Sequence, residues 1–137
     1  MGLFNRIPDT ELQIAASAAY TATTTSTAVN ITSVGCGDED LGIMLNVTAL
    51  AGTHDSSNYF SVVLEAGETS GGTYYIVDGF KIQSDVIATG ANLFALNTRQ
   101  ITEAVGSQNA VYFRIVVTKV GTTATSATLS AHFVKGV

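Results

Sequence analysis

The sequence predicts an all-β protein, folded as an antiparallel β-sandwich of jelly-roll type with an extended N-terminal arm. Three observations carry the prediction. Apolar and polar residues alternate with a period of two in four separate long runs. Gly-, Ser- and Thr-rich segments separate the runs, and nothing alternates strand with helix as a parallel sheet requires. The single proline, Pro8, falls outside every run, as ladders that need each backbone N–H demand.

Residues 1–19 read as an arm preceding the sandwich, and residues 20–137 as the sandwich domain. Helix-favouring residues gather at 10–19, where Glu11, Leu12 and four alanines stand together. Residues 15–27 become a Thr/Ala/Ser tract, read as extended because β-branched Thr loses side-chain freedom in a helix. In 43–50, Ile43, Leu45, Val47 and Ala49 are expected to face the core. In 59–66 the inward set is Phe60, Val62, Leu64 and Ala66. Residues 73–77 and 80–83 flank Asp78-Gly79, which predicts a two-residue hairpin turn with positive φ at both positions. Residues 86–88 and 92–96 form a second expected pair around Gly90. In 111–119 the inward set is Val111, Phe113, Ile115 and Val117, and in 126–133 it is Ala127, Leu129, Ala131 and Phe133. Gly121-Thr122-Thr123 between those two strands is expected to close a hairpin.

Composition narrows the function classes. An apolar content of 46% with 12% charged residues excludes intrinsic disorder, since the chain can bury enough surface to offset its ordering entropy. No run approaches the roughly 20 apolar residues of a spanning helix. The net charge is −5, and six Lys and Arg are scattered with no two adjacent. A phosphate-binding stripe is therefore missing, and neither nucleic acid nor an anionic membrane is an expected partner. The lone cysteine, Cys36, permits no intrachain disulfide. Residues 1–10 contain no apolar h-region, so no secretion signal is expected.

Catalytic chemistry needs converging titratable groups, and few are available. His132 is expected on the outward face of its strand, exposed or at an interface. His54-Asp55 lies beside Ser56 and Ser57 in a segment expected to be a solvated loop. Consecutive residues do not approach one another from the directions a catalytic triad requires. Asp38, Glu39 and Asp40 make an acidic turn without the alternating ligands of a Ca²⁺ loop, and whether they hold a cation is left open. One Cys and two distant His fall short of a zinc site. No enzyme signature, metal site or cofactor site is expected. Tyr59, Tyr74, Tyr75 and Tyr112 are better suited to protein contact than to glycan stacking, since Tyr74 and Tyr75 must point opposite ways along a strand.

The order of segments carries a resemblance. A Thr-rich first strand ends STAVNITSVG, an acidic turn CGDEDLG leads into IMLNVTALAG, and YFSVVLEAGETSGG follows. Two long strands close the chain, VYFRIVVTKVG and ATLSAHFVKGV. This pattern, over roughly residues 10–137, resembles the small jelly-roll capsid cement (decoration) proteins of tailed bacteriophages, the Bordetella-phage cement-protein type. The resemblance implies a non-enzymatic homotrimer, made in the host cytoplasm. It would stand on the outer capsid surface of the virion, clamping neighbouring copies of the major capsid protein. It carries over no catalytic residue. The alternative is a phage tail- or fibre-associated module that binds a receptor or glycan.

Interface candidates follow from apolar residues on faces that should be polar. These are Val116 and Val120, with Tyr112 as a rim contact, and Met44 opposite the core set of its strand. Leu3, Phe4 and Ile7 put apolar side chains in the arm, which is expected to dock on a neighbouring subunit or the capsid.

Overall fold

The alternating runs become paired strands in a computed structural model of the chain, which describes residues 12–31, 41–82, 89–96, 98–106 and 110–135. The elements run β1 (Gln13–Tyr20), β2 (Thr24–Thr25), β3 (Val29–Asn30), β4 (Leu41–Gly52), β5 (Tyr59–Gly67), β6 (Tyr75–Ile82), β7 (Gly90–Leu96), α1 (Thr98–Val105), β8 (Tyr112–Val120) and β9 (Ala124–Lys135). One antiparallel sheet has the order β1-β9-β4-β7. The other has the order β2-β8-β5-β6, with β3 also pairing β8. Chain neighbours such as β4 and β5, or β8 and β9, thus sit in opposite sheets. This interleaving is the jelly-roll arrangement of an all-β sandwich.

Burial follows the predicted alternation closely. Phe60, Val62, Leu64 and Ala66 of β5, Phe113, Ile115 and Val117 of β8, and Ala127, Leu129, Ala131 and Phe133 of β9 are all fully buried. Two aromatic pairs join the sheets across the core. The rings of Phe113 and Phe133 meet edge to face at 4.9 Å, and those of Phe80 and Phe94 stack at 4.3 Å.

Several expectations are corrected. The sandwich begins at Gln13 rather than residue 20, because β1 pairs with β9 along its length; residues 13–19 are strand, neither arm nor helix. In β4 the inward set shifts after Val47. Val47 pairs with Leu129 and Ala49 with Thr128, so Thr48 is an extra, bulged residue. Ala49 is consequently exposed, and Leu50 packs on the core instead.

Asp78-Gly79 closes no hairpin. Both residues lie within β6, and Gly79 does not have positive φ. Leu64 pairs with Asp78 and Glu65 with Ile76, which leaves Val77 as the bulged residue, packed on the core. A glycine inside a strand pattern is an alternative sign of such a bulge. Gly121-Thr122-Thr123 likewise crosses from one sheet to the other instead of pairing β8 with β9. Of the pair expected around Gly90, residues 86–88 lie outside the described residues, and residues 92–96 belong to β7, which pairs with β4.

Helix α1 falls where no helix was expected. Ile101 is buried, Val105 packs beside the core, and the helix lies against β6 and β5. Arg99 and Glu103 pair at 3.1 Å on its exposed side. Gly106, at φ 80°, ends it by donating its N–H to the Thr102 carbonyl at 2.7 Å.

Candidate interaction surface

Cross-strand register sets which residues share the outer face of the β2-β8-β5-β6 sheet. Val63 sits between Val116 and Gly79, Glu65 between Arg114 and Ile76, and Tyr59 beside Val120. Tyr112, Val116 and Val120 therefore occupy one face, as the alternation of β8 requires, and each is half-buried. Two contributors escaped the sequence reading. Val63 adds to Val116, and Ile76 stands 65% exposed, with the neighbouring Tyr75 at 42%. The bulge at Val77 is what places Ile76 on this side. A bulge cannot be located from alternation alone, but the glycine at 79 was the available signal. Gly79 adds no side chain beside Val63, so the apolar patch is open on that flank. The Ser61–Thr118 pair separates this patch from Tyr59 and Val120.

A polar cluster borders the patch. Arg114 donates from Nε to Glu65 Oε1 at 2.8 Å, and its guanidinium lies 3.9 Å from the centre of the Tyr74 ring. The Tyr74 hydroxyl donates to the Ser70 carbonyl at 2.9 Å, which closes the 70–74 segment on itself. A Cβ on Gly67 would come within 2.9 Å of the Thr73 carbonyl, so only glycine permits this close return. The Arg–Tyr stack contributes about 0.5–1 kcal/mol at such a site, and it also fixes the guanidinium in place.

Met44 belongs to the opposite side of the molecule. It lies on the outer face of the other sheet, paired with His132 of β9 and Leu93 of β7, and is 6% exposed. It is not an open contact residue of the single chain. His132, expected exposed or at an interface, is also buried, at 7%. Its Nε2 lies 3.4 Å from Gln13 Nε2, and its Nδ1 is buried without a hydrogen-bond partner. With the Gln13 amide nitrogen donating, the ring proton resides on Nδ1, which leaves a buried donor unsatisfied. Burial disfavours the imidazolium and lowers the His132 pKa below its ordinary value.

The pH dependence follows from that direction. A histidine whose folded pKa lies below its unfolded value of about 6.5 contributes its full stability above that pH. The contribution is lost as pH falls through the folded pKa. We expect the melting temperature to drop between pH 7 and pH 5.5, and His132→Leu to flatten that slope. His132→Leu also removes an orphaned polar group, so it should be neutral or stabilising by up to about 1–3 kcal/mol. Thermal melts of both proteins across this range check the result; an unchanged slope in the variant would assign it to other groups.

His54 is buried rather than solvated. Its Nε2 donates to the Ala51 carbonyl at 3.1 Å and its ring packs 5.9 Å from that of Phe60. Asp55 Oδ1 accepts from the Ser57 N–H at 2.9 Å, the Asn58 N–H at 2.9 Å and the Asn58 side-chain amide at 3.0 Å. Those bonds, led by the Asn58 side chain, hold the Asp55 pKa below the usual carboxylate value. Asn58 Oδ1 in turn accepts from the N–H groups of Thr122 and Thr123 at 3.0 and 3.2 Å. These groups tie together the two segments that cross between sheets at this end.

Among the described residues no group of three or more His, Cys, Asp or Glu is placed to hold a metal ion. Cys36, Asp38, Glu39 and Asp40, and the arm residues Leu3, Phe4 and Ile7, lie outside the described residues. No described helix is long and apolar enough to cross a membrane. No family model matches the chain, and no curated protein sequence matches it.

Proposed function

We propose that the chain is a structural virion protein that binds the outer capsid surface as a cement trimer and stabilises the shell. The reading takes its specificity from the resemblance of the ordered segments to small phage cement proteins. The observation that carries it on the molecule is the outer sheet face centred on Val63, Val116 and Ile76. Apolar side chains are kept there at the surface of a jelly-roll body, beside a preorganised Arg114–Glu65–Tyr74 cluster. Aromatic residues and arginine in fixed conformations are the usual anchors of protein contacts, since little side-chain freedom is lost when a partner arrives.

The purified protein should have a solution mass about three times the 14.2-kDa chain mass. It should co-sediment with shells assembled from the major capsid protein of its own phage. A monomer that ignores such shells would rule the reading out. The second reading, a tail- or fibre-associated module that binds glycan, draws on exposed Tyr75. Tyr74 is less available for sugar stacking, because Arg114 already covers a face of its ring. Binding on a glycan array without binding to shells would favour that reading.

A further inference from the structure

We infer that the first part of β1, residues 13–17, is released from β9 in acid, and that protonation of His132 is what opens it. The inference concerns the single chain and is independent of the cement reading.

Three features meet at His132. It sits on β9 between Gln13 of β1 and Met44 of β4, and it is 7% exposed. Its Nε2 faces the Gln13 amide nitrogen at 3.4 Å, and its Nδ1 is enclosed without a partner. The β1–β9 ladder shifts register between Gln13 and Ala15 and again between Ala15 and Ala18, so pairing is interrupted beside the ring.

An imidazolium has no counter-charge in this place. The side chains sharing its face are Gln13 from β1, Met44 and Asn46 from β4, Leu93 from β7, and Ser130 and Val134 from β9 itself. None of these titrates or carries a charge. A second ring proton would sit on Nε2 and point at the Gln13 amide nitrogen, itself a donor. Rotating that amide supplies one acceptor, yet the Nδ1 proton still meets none. Among the described residues, water is then what remains to solvate the charge.

The route to water runs through β1. β4 lies inside the sheet between β9 and β7, and over residues 41–47 its register on both is unbroken. β1 is a sheet edge, with β9 as its one neighbour among the described strands of that sheet. Ala16 and Ser17 are already exposed, so lifting residues 13–17 uncovers chiefly Ile14 and Ala15. Residues 18–20 run in regular register along β9, and Tyr20 is buried, which holds the second part of β1 in place. The second register shift is thus the hinge. Once the segment lifts, the ring meets water and binds a proton with ordinary affinity, whereas the closed sheet disfavours the charged ring. Opening therefore stays constant above about pH 6.5 and rises as pH falls below it.

Hydrogen–deuterium exchange of the full chain tests this, with rates corrected for the intrinsic effect of pH. Between pH 7.5 and pH 5, protection of the amides of residues 13–15 should fall about tenfold while that of β5 stays unchanged. His132→Leu should keep its protection at both pH values. Constant protection in the wild type overturns the inference. So does an equal loss in His132→Leu, or a loss that spreads equally to β5. If His132→Leu misfolds, an NMR titration of the wild type decides the case. The His132 ring and the amides of residues 13–15 should then share one midpoint, and separate midpoints sink the idea.

Discussion

Phe113→Ala is expected to lower stability by about 3–5 kcal/mol, the range for removing a large, fully buried aromatic from a core that closes only partly around the gap. For a chain of 137 residues that corresponds to a fall in Tm of roughly 10–17 °C. The ring is completely buried and contacts Phe133 of the facing sheet edge to face. It is therefore part of what holds the sheets together, beyond its role within one of them. A double-mutant cycle with Phe133→Ala should give a coupling of about 0.5–1.5 kcal/mol, as for other aromatic pairs. Chemical denaturation of the four proteins measures it. A loss below 1 kcal/mol for Phe113→Ala would mean that the sheets do not pack as described.

The second large effect is expected at Gly121. Its φ is 80°, and a Cβ there would run into the Asn58 side-chain oxygen and lie 2.6 Å from the Ser57 carbonyl. Gly106 has the same φ, but nothing stands within 4 Å of its would-be Cβ. Ala at position 106 should therefore cost only the left-handed conformation, about 1 kcal/mol. At position 121 the clash is added, and the total should reach about 3 kcal/mol. Comparing Gly121→Ala with Gly106→Ala by urea denaturation isolates the contact between the two crossing segments. Equal losses would show that the segments are not in contact.

Much of this architecture was legible because alternation is a direct physical consequence of the pleat. β5 and β8 present one buried face, β9 is buried on both faces from Leu129 to Val134, and the inward residues of all three strands are legible from the alternation. The misses share a cause. Period-2 reading presumes unbroken register, whereas the bulges at Thr48 and Val77 each insert a residue and reverse the faces beyond it. Turn chemistry was similarly ambiguous: Asp78-Gly79 satisfies a hairpin turn and also a bulged strand. Gly121 supplies positive φ for a crossing between sheets as readily as for a hairpin. Helix α1 left a weak local trace, with Ile101 and Val105 four apart, Arg99 and Glu103 four apart, and Gly106 beyond. The Thr- and Gln-containing segment hid it.

The candidate surface was half legible. Tyr112, Val116 and Val120 could be assigned to one face from β8 alone. Val63 and Ile76 needed the pairing of β5 with β8 and β6, which no local pattern encodes. Met44 was correctly placed opposite its core set, but the burial of that outer face depends on packing that a single strand cannot reveal. The same packing encloses His132.

The position of β9 between β1 and β4 has a kinetic consequence. Two strands made early remain unpaired with each other until a segment synthesised more than seventy residues after β4 begins slots between them. Loop closure over such separations is slow, and the waiting chain exposes greasy edges to other nascent chains. β4 can pair with β7 earlier, but completion of this sheet is deferred until β9 has cleared the ribosome, and translation stalled before β9 would yield an aggregating fragment with β1 unpaired instead of a smaller sandwich.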